Sequence, residues 1–560
     1  MIVGIDFGTS TSEIAYVEEN GNVVVIPNHL GELITPSVVY YAEDGSVRVG
    51  REAKEQALLE PENTFLEVKR LFGQAHRLNA RGRILTPVDV AADIIRYLKD
   101  CAKEHTGEEI STAVITVPAY FSDTQRKEVM AAGQAAGLEV ERIINEPTAA
   151  SLDYGIRNMQ NCEYILVYDL GGGTLDVTVL ELFEGVVDVK SSCGNNELGG
   201  KDFDQAIVEH IVDVIKKKDN IDIMDDVRAA IRVKMAAESC KIALSEKTEY
   251  EIELPFLYTK KDGPAGFKET VTREMFEGLI SDMVCSTNKQ IETALYDARL
   301  EPDEVDLILL VGGSSRIPCV ASFLSKTFGS IPRIGDNADL AVVRGAAIQA
   351  GVLGNVLNEN AIALTDVCPY SLSTDVLVGN SFFGEVICDI LIPRNSTLPA
   401  EVSKSYSTSN DDQTSVAVMA FQGESTIPDE NILLNSFYLG DIPKGRAGKE
   451  SINVTFAYDL NGILTISAEV ISTGKSTTIT VDTAIAGENL DLSLWKQSPN
   501  AKKYRKLITK TERLLKVHGD EARHVEVCLN ELKRALVLEW EADVTNTMAD
   551  RLEDAIEEFE

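Results

Sequence analysis

The sequence has no long apolar run, no export leader, no paired cysteines and no excess of basic residues. Its best apolar stretch, residues 305–311, is far shorter than the roughly 20 residues that a membrane-spanning helix needs. The chain begins directly with a strand pattern, without the charged and apolar regions of a signal peptide. Its nine cysteines show no C-x-x-C spacing, which is typical of free thiols in a reducing compartment. These absences predict a cytoplasmic protein without a membrane partner.

Basic residues are few compared with acidic ones, and histidines are scarce. The 560 residues include 53 Lys and Arg against 89 Asp and Glu, a formal net charge of −36. Such an acidic surface favours solubility and disfavours nucleic acid or an anionic membrane as the main ligand. The six histidines show no zinc-binding spacing. At this length we expect about three or four domains.

Two similar strand–turn–strand stretches organise the first part of the chain. In the first, Asp6 precedes the turn Gly8–Ser10, and in the second, Asp169 precedes Gly171–Thr174. Glycines in such turns let backbone N–H groups approach an anion closely. A lone run of glycines is more often a plain hairpin, but the second copy predicts two duplicated lobes. Facing each other, the hairpins would offer two phosphate cradles and carboxylates for a hard cation such as Mg²⁺.

Strands alternate with helices over the first 350 residues, which predicts α/β architecture. A third glycine turn, residues 312–316, follows an apolar strand, and Glu146 follows another strand directly before Pro147. We predict strands at 38–41, 113–117, 140–144 and 307–311, and helices at 65–71, 87–103, 123–137, 225–244 and 342–350.

The pattern changes after residue 360. Residues 452–456 alternate between apolar and polar side chains, and Asn461 with Gly462 forms a hairpin signal before 463–467. This pattern predicts an antiparallel β-sandwich. Three helices are expected at the end of the chain, at 502–517, 521–539 and 543–559.

Eight motifs together resemble the 70 kDa heat-shock chaperones of the DnaK type over most of residues 1–500. In order they are IDFGTSTS, VPAYFSDTQRK, INEPTAA, YDLGGGTLDV, LGGKDFD, AAESCKIALS, VGGSSRIP and VRGAAIQAG. The resemblance implies an actin-like two-lobed ATPase domain at 1–359, an interdomain linker at 360–366, a β-sandwich peptide-binding domain at 367–497 and a shortened helical lid at 498–560. The implied function is that of an ATP-dependent chaperone. It would bind and release extended apolar segments of client proteins, controlled by slow ATP hydrolysis and nucleotide exchange.

The resemblance also implies roles for residues in the nucleotide cleft. The expected catalytic residues, among which Lys69 would orient the attacking water, are Lys69, Glu146, Asp169, Thr174, Asp176 and Asp6. Asp6, Asp169 and Glu146 would hold Mg²⁺, mostly through water. The expected nucleotide-binding residues are Gly8, Thr9, Ser10, Gly171, Gly172, Gly173, Glu238, Lys241, Ser245, Gly312, Gly313, Ser314, Arg316 and Asp339. The implied cofactors are ATP or ADP and Mg²⁺, with K⁺ as a further candidate.

Other positions match the family's peptide cleft and its partner contacts. The peptide-binding candidates are Thr374, Val376, Leu377, Tyr406, Ser409, Val416 and Val418. Their apolar members are explained about equally well as ordinary sandwich core. The implied partners are unfolded or extended client polypeptides and a J-domain co-chaperone, with a nucleotide exchange factor as a further candidate. Arg142, Asn145 and Asp366 match J-domain positions, and Pro118 and Arg126 match positions that relay the nucleotide state.

Several features depart from the family's usual pattern. In the linker, Ala363 and Thr365 interrupt a run that is usually leucine, so we expect weaker docking and weaker coupling between domains. Leu377 and Ser409 stand where a Met and an Ala usually form an arch over the peptide. The segment between 71 and 87 and the C-terminal helical segment are short, and a reduced lid predicts faster peptide exchange with ADP. With TDVCPYSL at 365–372, these features are most similar to the HscC-type specialised bacterial branch.

Two other classes of protein remain open. A sugar or acetate kinase of the same fold would phosphorylate a small molecule, but the residues after 360 would then have no role. A filament-forming protein or a non-hydrolysing ATP sensor would be revealed by ATP-dependent sedimentation or by the lack of turnover. A P-loop NTPase is excluded, because Glu469 stands where the first glycine of that motif must be.

Overall fold

We describe a computed structural model of the chain. It describes residues 1–518 except 75, 159–162, 184–185, 262, 335–337, 358–362, 380–384, 481–494 and 497, and then residues 525, 529, 532, 533, 535, 536, 545, 546, 548, 549, 552, 553 and 556. No described helix is both long and apolar enough to cross a bilayer.

The first lobe is built on a sheet in which a hairpin lies beside two parallel strands. Its elements are β1 (Ile2–Phe7), β2 (Thr11–Val17), β3 (Val23–Val25), β4 (Thr35–Pro36), β5 (Val38–Tyr41), β6 (Val47–Val49), α1 (Arg51–Gln56), β7 (Thr64–Leu66), β8 (Leu78–Ala80), β9 (Arg83–Leu85), α2 (Pro87–Thr106), β10 (Thr112–Val117), α3 (Asp123–Ala135), β11 (Glu139–Asn145) and α4 (Glu146–Arg157). The strand order is β11-β10-β1-β2-β3, with β4 also on β2. Strands β1, β10 and β11 run parallel, and β2 returns antiparallel to β1.

The second lobe repeats this arrangement. Its elements are β12 (Glu163–Leu170), β13 (Leu175–Phe183), β14 (Val186–Asn195), α5 (Gly200–Asp219), α6 (Val227–Glu246), β15 (Glu249–Lys260), β16 (Gly263–Thr272), α7 (Arg273–Ser286), α8 (Asn288–Ala298), β17 (Leu307–Val311), α9 (Pro318–Phe328), β18 (Arg333–Ile334), α10 (Ala341–Leu353) and β19 (Ala363–Thr365). The strand order is β18-β17-β12-β13-β14-β19. As in the first lobe, a hairpin (β12–β13) lies beside a parallel strand (β17).

The two lobes are joined by close packing of α10 against α4 and β1. A Cβ on Gly345 of α10 would lie 1.7 Å from the carbonyl oxygen of Ala149, and one on Gly4 would lie 2.2 Å from the nitrogen of Ala347. Only glycine permits backbones to approach this closely. The close contact of α10 with α4 and β1 therefore fixes the relative position of the two lobes and of their hairpin turns.

The last third of the described chain is a β-sandwich followed by a helix. Its elements are β20 (Leu372–Val378), β21 (Glu385–Ile392), β22 (Ala400–Ser407), β23 (Val416–Gln422), β24 (Ile432–Leu439), β25 (Ser451–Tyr458), β26 (Leu464–Val470), β27 (Lys475–Thr480) and α11 (Ala501–His518). Two antiparallel sheets, β21-β20-β23-β24 and β22-β25-β26-β27, pack face to face. The alternation at 452–456 places Ile452, Val454 and Phe456 in the core between them.

Most predicted elements are present, and one predicted helix is wrong. Strands 38–41 and 307–311 have the predicted bounds. At 65–71 the chain instead forms β7 and a short 3₁₀ turn, Val68–Leu71, because Glu67 between them adopts a left-handed backbone conformation (φ 57°). That break allows β7 to pair with β5 and Lys69 to be buried. The helices expected at 521–539 and 543–559 lie mostly outside the described residues.

Candidate functional site

The two predicted glycine turns face each other where the hairpins of the two lobes meet. A Cβ on Gly172 would lie 2.3 Å from the Ser10 hydroxyl, and one on Gly173 would lie 3.2 Å from the methyl carbon of Thr9. The second turn is fixed from behind, since the N–H groups of Gly200 and Lys201 donate to the carbonyls of Gly171 and Gly172 at 2.9 Å. The backbone of the second turn is therefore held in place, and its glycines leave no Cβ between the main chain and the facing turn, as an anion cradle requires.

A cluster of acidic side chains lies beside these turns. Asp6 ends β1 and accepts a hydrogen bond from Thr116 (2.7 Å), while Asp169 lies at the matching end of β12 and Asp176 in β13. Glu146 begins α4, directly after β11, as the sequence predicted for a strand end. Parallel strands of the two lobes thus deliver their carboxylates to one place.

One buried cation lies within this cluster. The Lys69 ammonium donates to Glu146 Oε1 (2.6 Å) and to the Phe7 carbonyl (2.5 Å), and its side chain is 2% exposed. The 3₁₀ turn that replaced the predicted helix is what brings Lys69 inward. Lys69 therefore sits where it can reach an anion held between the turns.

The acidic cluster carries more negative charge than Lys69 can balance. Burial, and then the Glu146 carboxylate, raise the pKa of Asp6 to about 6 and that of Asp176 to about 7. The same causes raise the pKa of Asp169 well above its ordinary value. A bound cation stabilises the ionised form of buried carboxylates that repel one another. In the described part of the chain no three acidic, His or Cys side chains converge closely enough to bind a metal ion directly.

Glu13 is a member of this cluster that the sequence reasoning missed. It is buried on β2 directly opposite Asp6, and burial and Asp6 raise its pKa well above the ordinary value. Its signal was the hairpin register, which pairs residues 6 and 13. The sequence reasoning identified the turn but did not count the register back to β2.

The predicted nucleoside residues lie on the second lobe beside the turns. Helix α6 presents Glu238, Lys241 and Ser245 on one face, as their spacing predicted. Lys241 donates to the Gly200 carbonyl (2.9 Å) and pairs with Asp204 (2.8 Å). The third glycine turn begins at Gly312 (φ 79°) and continues with Gly313. The Ser314 hydroxyl of this turn donates to the Gly171 carbonyl (2.9 Å). Its Arg316 guanidinium donates two hydrogen bonds to the Asp339 carboxylate (3.1 and 2.6 Å).

Glu238 links the two lobes. Its carboxylate pairs with Lys54 of α1 (2.7 Å) and with Lys201 of α5 (3.3 Å). Burial would raise the pKa of Glu238, but the charges of Lys201 and Lys54 outweigh it and lower the pKa to about 2. The sequence reasoning missed Lys54, which lies in no motif. Its ion pair closes the cleft beside the turns.

A second site lies in the β-sandwich. A groove of ≈ 430 Å³ opens between strands β20, β22, β23 and β25. All seven predicted peptide-binding residues line it: Thr374, Val376, Leu377, Tyr406, Ser409, Val416 and Val418. Val418 and Thr374 are 4% exposed and also belong to the sandwich interior, whereas Leu377 is 39% exposed at the edge. Val418 and Thr374 thus both line the groove and are buried in the sandwich, and the two alternatives that the sequence left open, peptide contact and sandwich core, remain open.

A chain of contacts joins the cleft to the sandwich. The Tyr120 N–H donates to Asp176 Oδ1 (3.1 Å), and the Tyr120 carbonyl accepts from the Tyr370 hydroxyl (2.8 Å). The two tyrosine rings are also in contact, with centroids 4.1 Å apart and ring planes tilted by 40°. Two successive contacts thus connect Asp176, an acidic side chain of the cleft, to Tyr370, just before the first strand of the sandwich. Tyr120 and Tyr370 were missed because nothing in the sequence relates positions so far apart.

Further contacts hold the sandwich against the lobes. The Asn145 amide donates to both Asp366 oxygens (2.9 Å) and accepts from the Arg126 guanidinium (2.7 Å). Burial raises the pKa of Asp366 and lowers that of Arg142, whose charges face each other. Three of the predicted J-domain positions thus lie together at this junction, with Arg126.

The linker is partly described. Residues 363–365 form β19 and pair in parallel with 186–188 of β14, so they extend the sheet of the second lobe. The Thr365 hydroxyl contacts Asp188. Linker residues 360–362 lie outside the described residues, and the weaker docking expected from Ala363 and Thr365 remains a prediction.

Comparisons with known proteins agree on one family. A family model described as Hsp70 protein matches residues 2–81 and 75–560. The chaperone protein DnaK of Thermosipho africanus is 44% identical over 482 residues, which are 86% of this chain and 79% of that protein. DnaK of Thermosipho melanesiensis is 41% identical over 559 residues, 96% of this chain and 92% of that protein. DnaK of Thermotoga maritima is 43% identical over 483 residues, 86% of this chain and 80% of that protein.

Proposed function

Because this chain belongs to the Hsp70 family, we propose how its residues perform the cycle of an ATP-driven chaperone. The protein is an ATPase that binds and releases extended apolar segments of client polypeptides, controlled by slow hydrolysis and by nucleotide exchange. Its nucleotide-binding domain comprises residues 1–359, its linker 360–366, its peptide-binding domain 367–497 and its helical lid 498–560.

In the cleft, the facing turns Gly8–Ser10 and Gly171–Thr174 bind the phosphates through backbone N–H groups. Asp6, Glu146 and Asp169 would hold Mg²⁺ through water, and the ion would supply neutralisation of the phosphate charge when bound. Lys69 positions the attacking water and stabilises charge on the γ-phosphoryl group. Such positioning and charge stabilisation are what phosphoryl transfer needs, and the absence of a strong base accounts for slow turnover.

Asp176 and Thr174 assist the water on the second-lobe side. The nucleoside lies between the face of α6 and the third glycine turn. The residues that contact it are Glu238, Lys241, Ser245, Gly312, Gly313, Ser314, Arg316 and Asp339. This assignment is supported by two hydrogen bonds. The Ser314 hydroxyl donates to the Gly171 carbonyl of the phosphate-binding turn, and Lys241 donates to the carbonyl of Gly200, whose own N–H donates to Gly171.

The client segment lies in the groove of the sandwich in extended form. Its backbone pairs with groove backbone and its side chains occupy apolar pockets, a β-type recognition mode. Val376, Val416 and Val418 supply the apolar lining, and Thr374, Tyr406 and Ser409 supply polar contacts. Leu377, half-exposed at the edge, would cover the peptide with Ser409 from the opposite side.

The finer placement of the protein rests on its sequence. We assign it to the HscC-type branch, on the basis of TDVCPYSL and the altered linker. We also propose a cytoplasmic location, a J-domain co-chaperone at Arg142, Asn145 and Asp366, an exchange factor and an accessory K⁺. Neither nucleic acid nor a membrane is expected to bind.

The observation that carries this proposal is the contact chain from Asp176 through Tyr120 to Tyr370, because it joins the acidic cleft to the sandwich that contains the groove. Single-turnover ATP hydrolysis, with and without an apolar peptide, tests it. We expect slow hydrolysis that the peptide accelerates. Phosphate transfer to a sugar or acetate instead of water would support the kinase alternative and contradict the proposal.

A further inference from the structure

Helix α11 is strongly basic, although the protein as a whole is acidic. Its 18 residues contain seven of the chain's 53 Lys and Arg and one of its 89 Asp and Glu. Solvated helix faces usually mix charges of both signs. A helix of this composition is therefore unusual for a chain of net charge −36.

The basic side chains form a continuous row on the exposed face. Lys502, Lys506 and Arg513 are exposed and, at 100° per residue, fall within about 40° of one another around the helix. The row is about 16 Å long. The opposite face carries Tyr504 and Ile508, which pack into an apolar core with residues from the end of the chain.

This row is unpaired within the described part of the chain. The side chains of Lys502, Arg505, Lys506 and Arg513 form no ion pair or hydrogen bond with another described residue. The acidic residue of the helix, Glu512, is already paired with Lys533 (2.8 Å). The positive charge of the row is thus available to a ligand.

The row belongs to a unit that is attached beside the peptide groove. The Tyr438 hydroxyl of β24 contacts Met548 Sδ (3.3 Å), and Tyr438 packs against the same apolar core as α11. Tyr438 is the cross-strand partner of Ala417, which lines the groove. The apolar core that α11 shares is therefore anchored on β24, the strand next to groove-lining strand β23.

We propose that the exposed face of α11 binds an acidic stretch of the client polypeptide that flanks the apolar segment held in the groove. The inference rests on the proposed function. A short acidic segment can approach the row closely, whereas DNA or an anionic vesicle would also face the acidic remainder of the chain. Clients would thus be selected for an apolar segment next to carboxylates.

The test uses fluorescent peptides that share one apolar segment and carry three Glu, three Ser or three Lys at either end. Their dissociation constants are measured with the full-length protein and ADP, at low and at physiological salt. Surface ion pairs are individually weak, so at low salt we expect the Glu-tailed peptide to bind roughly three- to tenfold more tightly than the Ser-tailed one. The preference should shrink as salt shortens the Debye length.

The variant Lys502→Glu/Lys506→Glu/Arg513→Glu should lose this preference and bind the Ser-tailed peptide as the wild type does. A Gln version of the same three changes covers the case in which reversal disturbs folding. The matched control is Lys216→Glu/Lys217→Glu/Lys218→Glu on α5, which should keep the preference.

Equal binding of Glu- and Ser-tailed peptides by the wild type, or tighter binding of DNA or phosphatidylserine vesicles through the row, would overturn the proposal. Failure of every peptide to bind would instead contradict the proposed function itself.

Discussion

At the scale of single residues, the proposed chemistry depends on Lys69 and the carboxylates around it. The ammonium is buried and has the Glu146 carboxylate and the Phe7 carbonyl as partners. Phosphoryl transfer depends on stabilising the charge that develops on the transferred group. In the proposed mechanism the Lys69 ammonium, already fixed in place, supplies this stabilisation without having to move.

Replacing Lys69 by Ala should lower the single-turnover rate of ATP hydrolysis by about a hundredfold or more. ATP binding, measured by calorimetry, should change far less because the glycine turns remain. Lys54→Ala, which removes the neighbouring contact to Glu238, serves as the comparison and should mainly weaken nucleotide binding. Unchanged hydrolysis in the Lys69 variant would exclude Lys69 from the reaction.

Asp176 predicts a pH dependence of stability. Burial and Glu146 raise its pKa to about 7 in the folded chain, whereas its ordinary value is 3.8. The folded state therefore favours the protonated carboxyl, and this contribution to the free energy of unfolding is present at low pH and is lost as the pH rises through about 7. Without nucleotide or Mg²⁺, the unfolding temperature should therefore fall between about pH 4 and pH 7, the range between the unfolded and folded pKa values of Asp176.

The variant Asp176→Asn isolates this effect, since an amide keeps an acceptor for the Tyr120 N–H but cannot ionise. Its unfolding temperature should fall less over the same pH range. An identical pH dependence in wild type and variant would assign the effect to other groups.

Residues within motifs could be predicted, and residues defined only by three-dimensional proximity could not. The turns, Glu146 and the face of α6 were predicted from glycines, strand ends and helical spacing, whereas the role of Lys69 was implied only by the family resemblance. The contacts of Glu13, Lys54, Tyr120 and Tyr370 carry no such signal, because their partners come from strand register or from distant parts of the chain.

At the scale of elements, α10 determines how the lobes meet. Its Gly345 touches the backbone of α4, and relief would require the two helices to separate. The sequence predicted this helix from its small residues but not the contact, because helix crossing depends on tertiary packing.

Gly345→Ala should therefore destabilise the protein by about 2 kcal/mol or more, measured by urea unfolding of the nucleotide-free protein. Gly278→Ala in α7 is the matched control, since a Cβ there meets nothing within 4 Å and the site is exposed. That change should stabilise by about 0.5–1 kcal/mol. Equal effects of the two substitutions would contradict the close crossing.

The wrong helix at 65–71 illustrates what local patterns omit. Its residues suit a helix, but pairing of β7 with β5 and burial of Lys69 favour a strand followed by a tight turn. Tertiary contacts of the cleft thus outweighed local propensity.

At the scale of the whole molecule, the account depends on coupling between cleft and groove. The sandwich touches the lobes through Tyr370, Asp366 and the pair formed by Arg394 with Asp297 (2.8 Å). Linker strand β19 pairs with β14, so the backbone of the linker is held on the sheet of the second lobe. The domain succession followed from motif order, but this packed arrangement could not be predicted.

Tyr370→Phe removes the hydroxyl that donates to the Tyr120 carbonyl while keeping the contact between the rings. We expect a several-fold smaller acceleration of peptide release by ATP, with basal peptide affinity in ADP unchanged. Tyr296→Phe, at a side chain that is 81% exposed, is the matched control. If both variants respond to ATP as the wild type does, the tyrosine contact has no part in coupling.

The most direct measurement is the dissociation rate of a fluorescent apolar peptide from the purified protein, with ATP and then with ADP. The account predicts release at least about fivefold faster with ATP, within the usual range of coupling between two sites. Equal rates with the two nucleotides, for a peptide that binds the groove, would contradict the claim that the cleft controls the groove.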